Sequence, residues 1–553
     1  MVRASYSQMI VVITLILMVS TCIATIVPVQ LGESLQLAAD SSQAGDTLLL
    51  EAGDHLSSVV LRDHTLTIAS EFIITSDTSA IAQTRLIPSG ISEDSASCLI
   101  IANLPDDTIH VIGITIAEGT GTSLNGGATR GGGLLVRQSN VSLRSSNITN
   151  CHSQDGGGIY IYGEPEWNPR ASLTLDSCNI SSCSSGGWGG GVYANRTSLN
   201  ATNSNFSNCQ TFLDGGAVFS VDASAYLDQC TFEGNAGSTG GLYLSGHRGV
   251  VSNCNFNFNS SDNSTFWAAH LSLNLGHFIV EGCYFGETDR PGRSVNTCCD
   301  GQDTMIFRGN VFENNFDDAN IRAGNLSACG IRGEVTNCIF RGNTSGSGQV
   351  YVFCSSVFRI AENLFENNNS IVIGRASVIR TATQGRPTIE DNLFEGNIGP
   401  TIDYVDGFPS TIDARNNWWG DESGPYHPTR NPFGQGDTVL SDSVLFDPWL
   451  LSPPDTTDAV SPRPETPVNW RLMNVYPNPF NSQLSVSLAG ILGNQFTLKL
   501  FDLLGREVAV LHEGRGYGGV VNYSAPVGLA SGVYFLQAAE GTYSDIRKVV
   551  FMK

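Results

Sequence analysis

Charged residues and strong helix formers are scarce in this sequence. Of its 553 residues only 15% are charged, and lysine occurs three times. Long α-helices draw on Ala, Leu, Glu and Lys, so the composition argues against a helical bundle. Glycine occurs 60 times, and the hydrophobic content of 41% is ample for a buried core. Length and composition together favour several domains or a repeat array over one compact core or complete disorder.

Positive charge is also scarce, and this disfavours some classes of partner. The sequence has 29 Lys and Arg residues against 52 Asp and Glu residues, which gives a net charge of −23. Such a field repels phosphate backbones, so we predict no nucleic-acid partner. There is no Cys-x-x-Cys pair and no His-rich cluster, so no zinc site is indicated. We predict no cofactor, with Ca²⁺ held by carboxylates as the alternative.

One long apolar run is present, and it lies near the N-terminus. Arg3 precedes the apolar stretch 9–19, and small residues follow as far as Ala24. A basic residue, a short apolar run and small residues are typical of a signal peptide. We therefore predict a signal peptide at residues 1–24, no membrane span after its cleavage, and an oxidising destination for the mature chain.

A three-residue phrase recurs along the centre of the sequence. It combines a small or amide residue, a variable residue, and Ile or an aromatic residue, from Ser146-Asn147-Ile148 to Asn416-Asn417-Trp418, with a mean spacing of 27 residues. A second set of small residues follows three positions after each aromatic: Cys151, Cys183, Cys209, Asn235, Asn259, Thr288, Asn315, Asn343, Asn368 and Asn397. This period suits a coil of three short strands, because stacked coils superimpose equivalent side chains at about 4.8 Å. We predict Phe stacks and Asn ladders.

The cysteines fall into two groups. Five of them open the repeated phrase and are predicted to pack in the core: Cys178, Cys230, Cys254, Cys283 and Cys338. The adjacent pair Cys298-Cys299 lies between two repeats and is a candidate for cross-linking or redox chemistry. Loss of Cys22 with the signal peptide leaves 13 of the 14 cysteines, so they cannot all pair within one chain.

The variable residue of each phrase is expected to face away from the core, opposite the aromatic. In the first half of the array it is polar, from Asn147 to Asn255. In the second half it becomes apolar, at Tyr284, Val311, Ile339, Leu364 and Leu393. We predict that these five residues form an apolar stripe on the outer surface, covered by a loop, the C-terminal domain or a partner.

These repeats resemble the right-handed parallel β-helix proteins of the pectin-lyase-like superfamily. The glycine runs and Phe-x-x-Asn phrases are also similar to the repeats of chlamydial polymorphic outer-membrane proteins. The stretch 44–50 resembles a first coil, residues 31–44 would form a capping helix, and 416–420 with 446–450 resemble a closing coil. The resemblance implies an all-β fold, with a right-handed parallel β-helix solenoid and its N-terminal cap over residues 25–450.

The C-terminal part of the sequence differs from the repeats in composition and in residue pattern. Residues 451–469 are rich in Pro, Thr and Asp and predict an extended linker, and residues 470–553 predict a small antiparallel β-sandwich. This region resembles the type A sorting domain of the type IX secretion system. The resemblance rests on Tyr476, Pro477, Asn478, Pro479, Phe480, Asn481, Gly505, Gly532, Tyr534 and Lys548. It implies recognition by the type IX translocon and a secreted or cell-surface location in a gram-negative bacterium.

Catalytic phrases of the β-helix enzymes are missing from the sequence. The hydrolase phrases Asn-Thr-Asp, Gly-His-Gly and Arg-Ile-Lys do not occur, nor does the Trp-x-Asp-His of pectate lyases. The best remaining catalytic candidates are Asp317, Asp318 and Arg322. Candidates for binding a cation or sugar are Asp300, Asp303, Trp418 and Trp419. We predict a non-enzymatic adhesin-like or polysaccharide-contacting scaffold, with a lyase or glycoside hydrolase acting on acidic polysaccharide as the alternative.

Overall fold

The computed structural model of the protein divides into two units, Met1–Val460 and Ser461–Lys553. The described residues are 24–552 except 57, 63, 89–95, 105–106, 124–126, 164–170, 262–267, 289–292, 299–302, 317–323, 406–410, 455–470, 477–479, 481–482, 503–505, 527–528 and 541–542. The predicted signal peptide up to residue 23 and most of the predicted linker lie outside them.

Three stacks of parallel strands build the larger unit, and we call them face 1, face 2 and face 3 in the order in which the chain passes through them. Face 1 contains Val59–Leu61, Leu99–Ala102, Leu134–Arg137, Ile159–Tyr162, Val192–Asn195, Ala268–Asn274, Arg293–Cys298, Leu326–Cys329, Val350–Phe353, Ile379–Ala382 and Ile402–Val405. Face 2 contains Ile26–Val29, Thr47–Leu50, Thr67–Ala69, Thr108–Ile112, Asn140–Arg144, Ser172–Asp176, Ser198–Thr202, His277–Glu281, Thr304–Arg308, Arg332–Thr336, Val357–Ala361, Arg386–Glu390, Ile412–Asp413 and Val444–Leu445. Two longer strands, Val218–Asp228 and Leu242–Ser252, run through both faces.

Face 3 carries the repeated phrase. Its strands are Gly53–Leu56, Thr84–Ile87, Thr115–Ala117, Asn147–Thr149, Asn179–Ser181, Asn205–Ser207, Thr231–Glu233, Asn255–Asn257, Tyr284–Phe285, Val311–Glu313, Ile339–Arg341, Leu364–Glu366 and Leu393–Glu395. Short strands turn the chain back towards face 1: His152–Ser153, Ser184–Ser185, Gln210–Thr211, Ala236–Gly237, Ser260–Ser261, Thr344–Ser345 and Asn369–Ser370. Two small pairs lie beside the stacks, Thr122–Ser123 with Thr129–Arg130 and Pro425–Tyr426 with Gly436–Thr438. The predicted parallel β-helix is confirmed.

A short helix lies where the N-terminal cap was predicted. It spans Leu35–Ser41, and the Ser34 hydroxyl at its N-cap accepts a hydrogen bond from the backbone N–H of Leu37. Leu35 and Ala39 are buried in the hydrophobic core of the coils. Because this apolar face covers the end of the core, the helix shields it from solvent. Two shorter helices, Phe72–Thr75 and Ser79–Gln83, occur between strands of faces 2 and 3.

Aromatic rings stack on one another inside face 3. The stack consists of Phe206, Phe232, Phe256, Phe285, Phe312, Phe340, Phe365, Phe394 and Trp419. The rings of Phe312 and Phe340 lie 4.6 Å apart with an interplanar angle of 1°. Residues about 27 positions apart therefore do lie over one another, as the repeat predicts.

The closing phrase is displaced by one residue from its predicted position. Trp418 pairs with Leu393, so Trp419 follows Phe394 in the stack, with ring centroids 4.8 Å apart. Asn417 continues the buried amide ladder, because its Oδ1 accepts from the Asn392 side chain at 3.0 Å. The assignment of Trp418 to the inner aromatic position was therefore wrong, since hydrogen bonding of Asn417 fixes the register.

Asparagine side chains form a hydrogen-bonded ladder beside the aromatic stack, as Asn343 illustrates. Its Nδ2 donates to the carbonyl oxygen of Phe312 at 2.8 Å and to Oδ1 of Asn368 at 3.0 Å. Its Oδ1 accepts from the backbone N–H and Nδ2 of Asn315, at 2.9 and 3.2 Å. The bond to the aromatic carbonyl of the preceding coil recurs at Asn235, Asn259, Asn315, Asn368 and Asn397. The predicted ladder is confirmed.

The ladder is interrupted where Thr288 replaces an asparagine, and His270 fills the gap. The imidazole of His270 is fully buried between the rings of Phe256 and Phe285. Its Nδ1 accepts from Nδ2 of Asn259 at 3.0 Å, and its Nε2 donates to the carbonyl of Gly286 at 3.1 Å. These bonds require the neutral ring, and burial lowers the pKa of His270 to about 4.

The variable residues of the phrase point outward, as predicted. Tyr284, Val311, Ile339, Leu364 and Leu393 pair in register on successive strands, and each is half-buried. The apolar stripe is therefore a feature of the outer surface of face 3, and Trp418 extends it by one coil. The identity of its cover stays a prediction.

The smaller unit is one antiparallel sheet. Its strands are Arg471–Tyr476, Gln483–Phe501, Glu507–Ser524, Gly532–Glu540 and Tyr543–Phe551. Its hydrophobic core includes Leu498, Leu500, Leu536 and Val549. All five strands belong to the same sheet, so the predicted division into a sandwich is not confirmed.

We expect Asn343→Ala to destabilise the coil far more than Asn205→Ala. Truncating Asn343 removes the side-chain partners of the Phe312 carbonyl and of the buried Asn315 backbone N–H, and each unsatisfied buried group costs about 1–3 kcal/mol. Asn205 points outward and makes one side-chain bond to the neighbouring coil, so its loss should cost about 1 kcal/mol or less. The midpoints of guanidinium unfolding compare the two variants, and equal losses would contradict the ladder.

We also expect His270 to make stability depend on pH. The pKa of His270 in the folded chain is about 4, below the value of 6.5 for a free histidine, so the unfolded chain binds this proton first as pH falls. The stabilising contribution is present above pH 6.5 and is lost progressively as pH falls towards 4, by up to roughly 3 kcal/mol. Unfolding midpoints of wild type and His270→Gln between pH 4 and 7 should diverge, and parallel curves would refute the assignment.

Candidate functional site

A groove of about 570 Å³ lies on face 2. Two in-register columns of side chains form its outer lining. One column consists of Ser224, Arg248, His277 and Thr304. The other consists of Asn200, Tyr226, Val250, Ile279 and Ile306. One side of the groove is therefore polar and cationic, and the other is mainly apolar.

The groove includes the coils in which the turn between faces 1 and 2 is replaced by a continuous strand. The strands Val218–Asp228 and Leu242–Ser252 pass through this corner without a break, and their pairing shifts register between Val221 and Ser224. Such bulges re-aim the side chains that follow them. Gly246 permits the shift, because its φ is +143° and a Cβ there would meet the backbone nitrogen of Ala223 at 2.9 Å.

The exposed groups of the groove can bind but do not form an acid–base pair. Tyr226 is 44% exposed, and Arg248 and His277 are exposed as well. No Asp or Glu is among the described residues that line the groove. Further along face 2, Glu281 is bound by Arg308 at 2.6 Å. The groove therefore offers an aromatic ring, a guanidinium and hydroxyl groups to a ligand.

Most of the acidic cluster predicted from the sequence cannot be placed. Asp300, Asp317, Asp318 and Arg322 lie outside the described residues. Asp303 immediately precedes the strand Thr304–Arg308, and its Oδ2 is buried without a hydrogen-bond partner. Asp303 and Arg308 stand at opposite ends of this strand, about 16 Å apart along an extended backbone. The structure therefore does not bring these two residues together.

The two tryptophans proposed for sugar stacking differ in position. Trp419 is fully buried and belongs to the aromatic stack, so its prediction as a ligand-binding residue was wrong. The cause is the one-residue displacement of the closing phrase. Trp418 is half-buried on the outer surface at the end of the apolar stripe.

The described residues of the sorting motif mainly build the smaller unit. Phe480 is buried, and its ring lies 5.0 Å from that of Phe551. The hydroxyl of Tyr534 donates to the carbonyl of Ala530 at 2.7 Å. Lys548 is exposed on the last strand, and Tyr476 and Gly532 end and begin strands. Pro477, Asn478, Pro479, Asn481 and Gly505 lie outside the described residues.

A second surface on face 1 combines aromatic rings with carboxylates. Tyr160, Tyr193, Phe219 and Tyr243 stack with centroid distances of 4.8 to 5.4 Å. Asp155 and Asp214 precede equivalent glycine runs beside this stack, and burial raises the pKa of both carboxyl groups. The guanidinium of Arg130 lies 5.1 Å from the ring centroid of Tyr160. An acidic residue directly before a glycine run was the signal that could have identified this surface.

The part of the chain that the structure describes contains neither a cluster of metal ligands nor a helix suited to cross a membrane. No group of three or more His, Cys, Asp or Glu residues there is arranged to hold a metal ion. Within the same residues, no helix combines the length and apolar character that a bilayer crossing requires.

Known proteins resemble different parts of the chain. Residues 474–552 match the family described as the secretion system C-terminal sorting domain. A segment of 195 residues, 34% of the chain, is 27% identical to the metabotropic glutamate receptor-like protein R of Dictyostelium discoideum, of which the chain spans only 11%. The gp42 tailspike of Acinetobacter phage vb_AbaP_AS12 aligns over 92% of this chain and 76% of its own, at 11% identity and a TM-score of 0.20. A score this low supports no conclusion about fold or function.

The family match identifies the C-terminal region as a secretion sorting domain. It covers residues 474–552, and therefore nearly all of the smaller unit. The resemblance noted in the sequence is thus confirmed, and it implies recognition by the type IX secretion system. The chain is a parallel β-helix protein that carries a type IX secretion sorting domain and is exported to the cell surface or beyond.

Proposed function

We propose that this protein is a non-enzymatic, adhesin-like scaffold that binds an acidic polysaccharide in the groove on face 2. The observation that supports this function is that the groove exposes both the Tyr226 ring and the Arg248 guanidinium on adjacent coils, with Arg248 two residues before Val250, the in-register partner of Tyr226. An aromatic ring stacks on the apolar side of a sugar, and a guanidinium binds a carboxylate through two parallel hydrogen bonds.

The geometry of the coils suits a polymeric ligand. Five successive strands line the groove from Asn200 to Ile306, so it extends about 19 Å along the stack. Polar groups recur on each coil of one wall, at Ser224, His277 and Thr304 among others. A polymer can therefore meet the same kind of contact at regular steps, and several weak contacts add to a useful affinity.

The net charge of −23 does not prevent an anionic ligand from binding locally. At physiological ionic strength, charges further than about 8 Å from the ligand are largely screened. Among the described residues that line the groove, Arg248 is the permanent cation and there is no carboxylate. The side chain of Arg248 is exposed at the groove, where its guanidinium can reach a ligand.

A glycoside hydrolase is the second candidate, supported by Asp155 and Asp214. These carboxyl groups stand two coils apart, which corresponds to about 10 Å and approaches the separation of inverting glycosidases. Burial raises the pKa of both, as a general acid requires. Both are also engaged within the fold, because Asp155 accepts from the backbone N–H of Trp188 and Asp214 from Thr239. The catalytic roles predicted for Asp317, Asp318 and Arg322 remain proposals.

We expect Tyr226→Ala and Arg248→Ala each to weaken binding of an acidic polysaccharide at least tenfold, while Tyr426→Ala leaves it unchanged. Tyr426 is a matched control, since it is 39% exposed and lies outside the groove. Affinity electrophoresis with polygalacturonate and alginate measures the effect, and the contribution of Arg248 should shrink at high salt. Retained binding in both groove variants would contradict the proposal.

The same incubations distinguish the enzymatic alternative. Reducing ends released by wild type and lost in Asp214→Asn would establish a hydrolase and overturn the non-enzymatic scaffold. New ultraviolet absorbance, which marks unsaturated products, would indicate a lyase instead.

A further inference from the structure

Three of the described cysteines lie outside the core, at the edge of face 1 where the chain turns towards face 2. Cys298 and Cys329 end adjacent face 1 strands and are paired in register. Cys354 follows the next strand, whose last residue pairs with Cys329. Cys298 and Cys354 are exposed, and Cys329 is half-buried. This placement differs from the other described cysteines, all of which are buried.

The register of Cys298 and Cys329 suits a covalent bond between their sulfur atoms. Paired residues on adjacent parallel strands have Cα atoms about 4.8 Å apart, within the range of about 4.4–6.8 Å that disulfides span. The neighbouring thiol of Cys329 lowers the pKa of Cys298 to about 6, which favours the reactive thiolate at this position. Cys354 is less well placed, since it lies past the end of its strand in a left-handed backbone conformation with φ of 55°.

We propose that Cys298 and Cys329 form a disulfide after export, which joins two consecutive coils at the outer edge of face 1. The Cys298 thiolate attacks one sulfur of an external disulfide and releases one thiolate from it. The thiol of Cys329 then loses its proton and attacks the Cys298 sulfur, which expels the second thiolate. Two cysteine thiols are thereby oxidised, and the external disulfide is reduced to two thiols.

The buried cysteines provide an internal contrast. They too occupy matching positions on successive coils, for example Cys230 and Cys254. Burial keeps external disulfides away from them, and it raises the pKa of Cys178 and Cys338 to about 12, so almost no thiolate is available to react. Both kinds of cysteine are stacked on their equivalents, but burial excludes an external disulfide from the core, so we expect only the surface cysteines to react.

The bond would constrain the segment that carries the predicted acidic cluster. Residues 299–328 separate the two cysteines, and they include Asp300, Asp303, Asp317, Asp318 and Arg322. A disulfide between Cys298 and Cys329 closes this segment into a covalent loop. Such a closure restricts the conformations of the intervening chain whether or not the cluster binds a ligand.

The test uses the full mature chain, incubated with oxidised glutathione and then alkylated with N-ethylmaleimide. Non-reducing peptide mass mapping should detect one linked pair joining residue 298 to residue 329, and this pair should disappear after dithiothreitol. The titratable thiols should fall by two per denatured chain. Cys230 and Cys254 should be recovered as alkylated thiols, and only when denaturant is present during alkylation.

Four serine variants assign the bond. Cys298→Ser and Cys329→Ser should each abolish the linked pair, whereas Cys299→Ser and Cys354→Ser should retain it. Cys298 is exposed, so its variant is informative even if Cys329→Ser fails to fold. Full alkylation of Cys298 and Cys329 in the oxidised protein would overturn the proposal. A link from Cys329 to Cys354, or any link that requires Cys299, would overturn it equally.

Discussion

Buried side chains of the larger unit find their main partners on the coil above or below them. Strands within a coil are too short to bury an apolar side by themselves, so packing and hydrogen bonding run along the stack. The Phe rings and Asn amides show this most clearly, because each repeats the contacts of its neighbour. Interruptions are repaired locally: His270 replaces a missing amide beside Thr288, and Asp437 accepts the last amide bond from Asn397 at 2.6 Å. This constraint fixes the types of residue that point inward, whereas the residue types on the outer surface are less restricted.

This difference explains what could be predicted from the sequence. The inward Phe and Asn residues recur with the period of the coil, so the parallel fold and the outward stripe could both be predicted. The predicted register of the closing coil was wrong by one residue. Asn416-Asn417 offers two candidates for the ladder position, and Trp418-Trp419 offers two for the inner aromatic position. Only the hydrogen bond from Asn392 to Asn417 distinguishes them. His270 could not be recognised, since it lies 11 residues from Asn259 along the chain and outside the repeated phrase.

Functional residues were harder to predict for the same reason. Tyr226, Arg248 and His277 lie on face 2, whose outward positions no repeat fixes, so nothing in the phrase marks them. Most of the candidates chosen instead were acidic residues near an insertion, and of these acidic residues only Asp303 lies among the described residues. The sorting motif was easier to recognise, because its phrases occur together in a fixed order, and Phe480 and Tyr534 belong to the core of the smaller unit. Export therefore rests on a family match, whereas ligand binding rests on the chemistry of the groove.

The in-register stacking of coils is the claim on which the groove, the ladder and the paired cysteines all depend. Electron density for the mature protein, from crystals or single-particle images, measures it most directly. The account requires the Phe312 and Phe340 rings to lie near 4.6 Å apart, with Val311 and Ile339 on the outer side of the same strands. Rings on separate surfaces, or a shift of one residue between these strands, would contradict it.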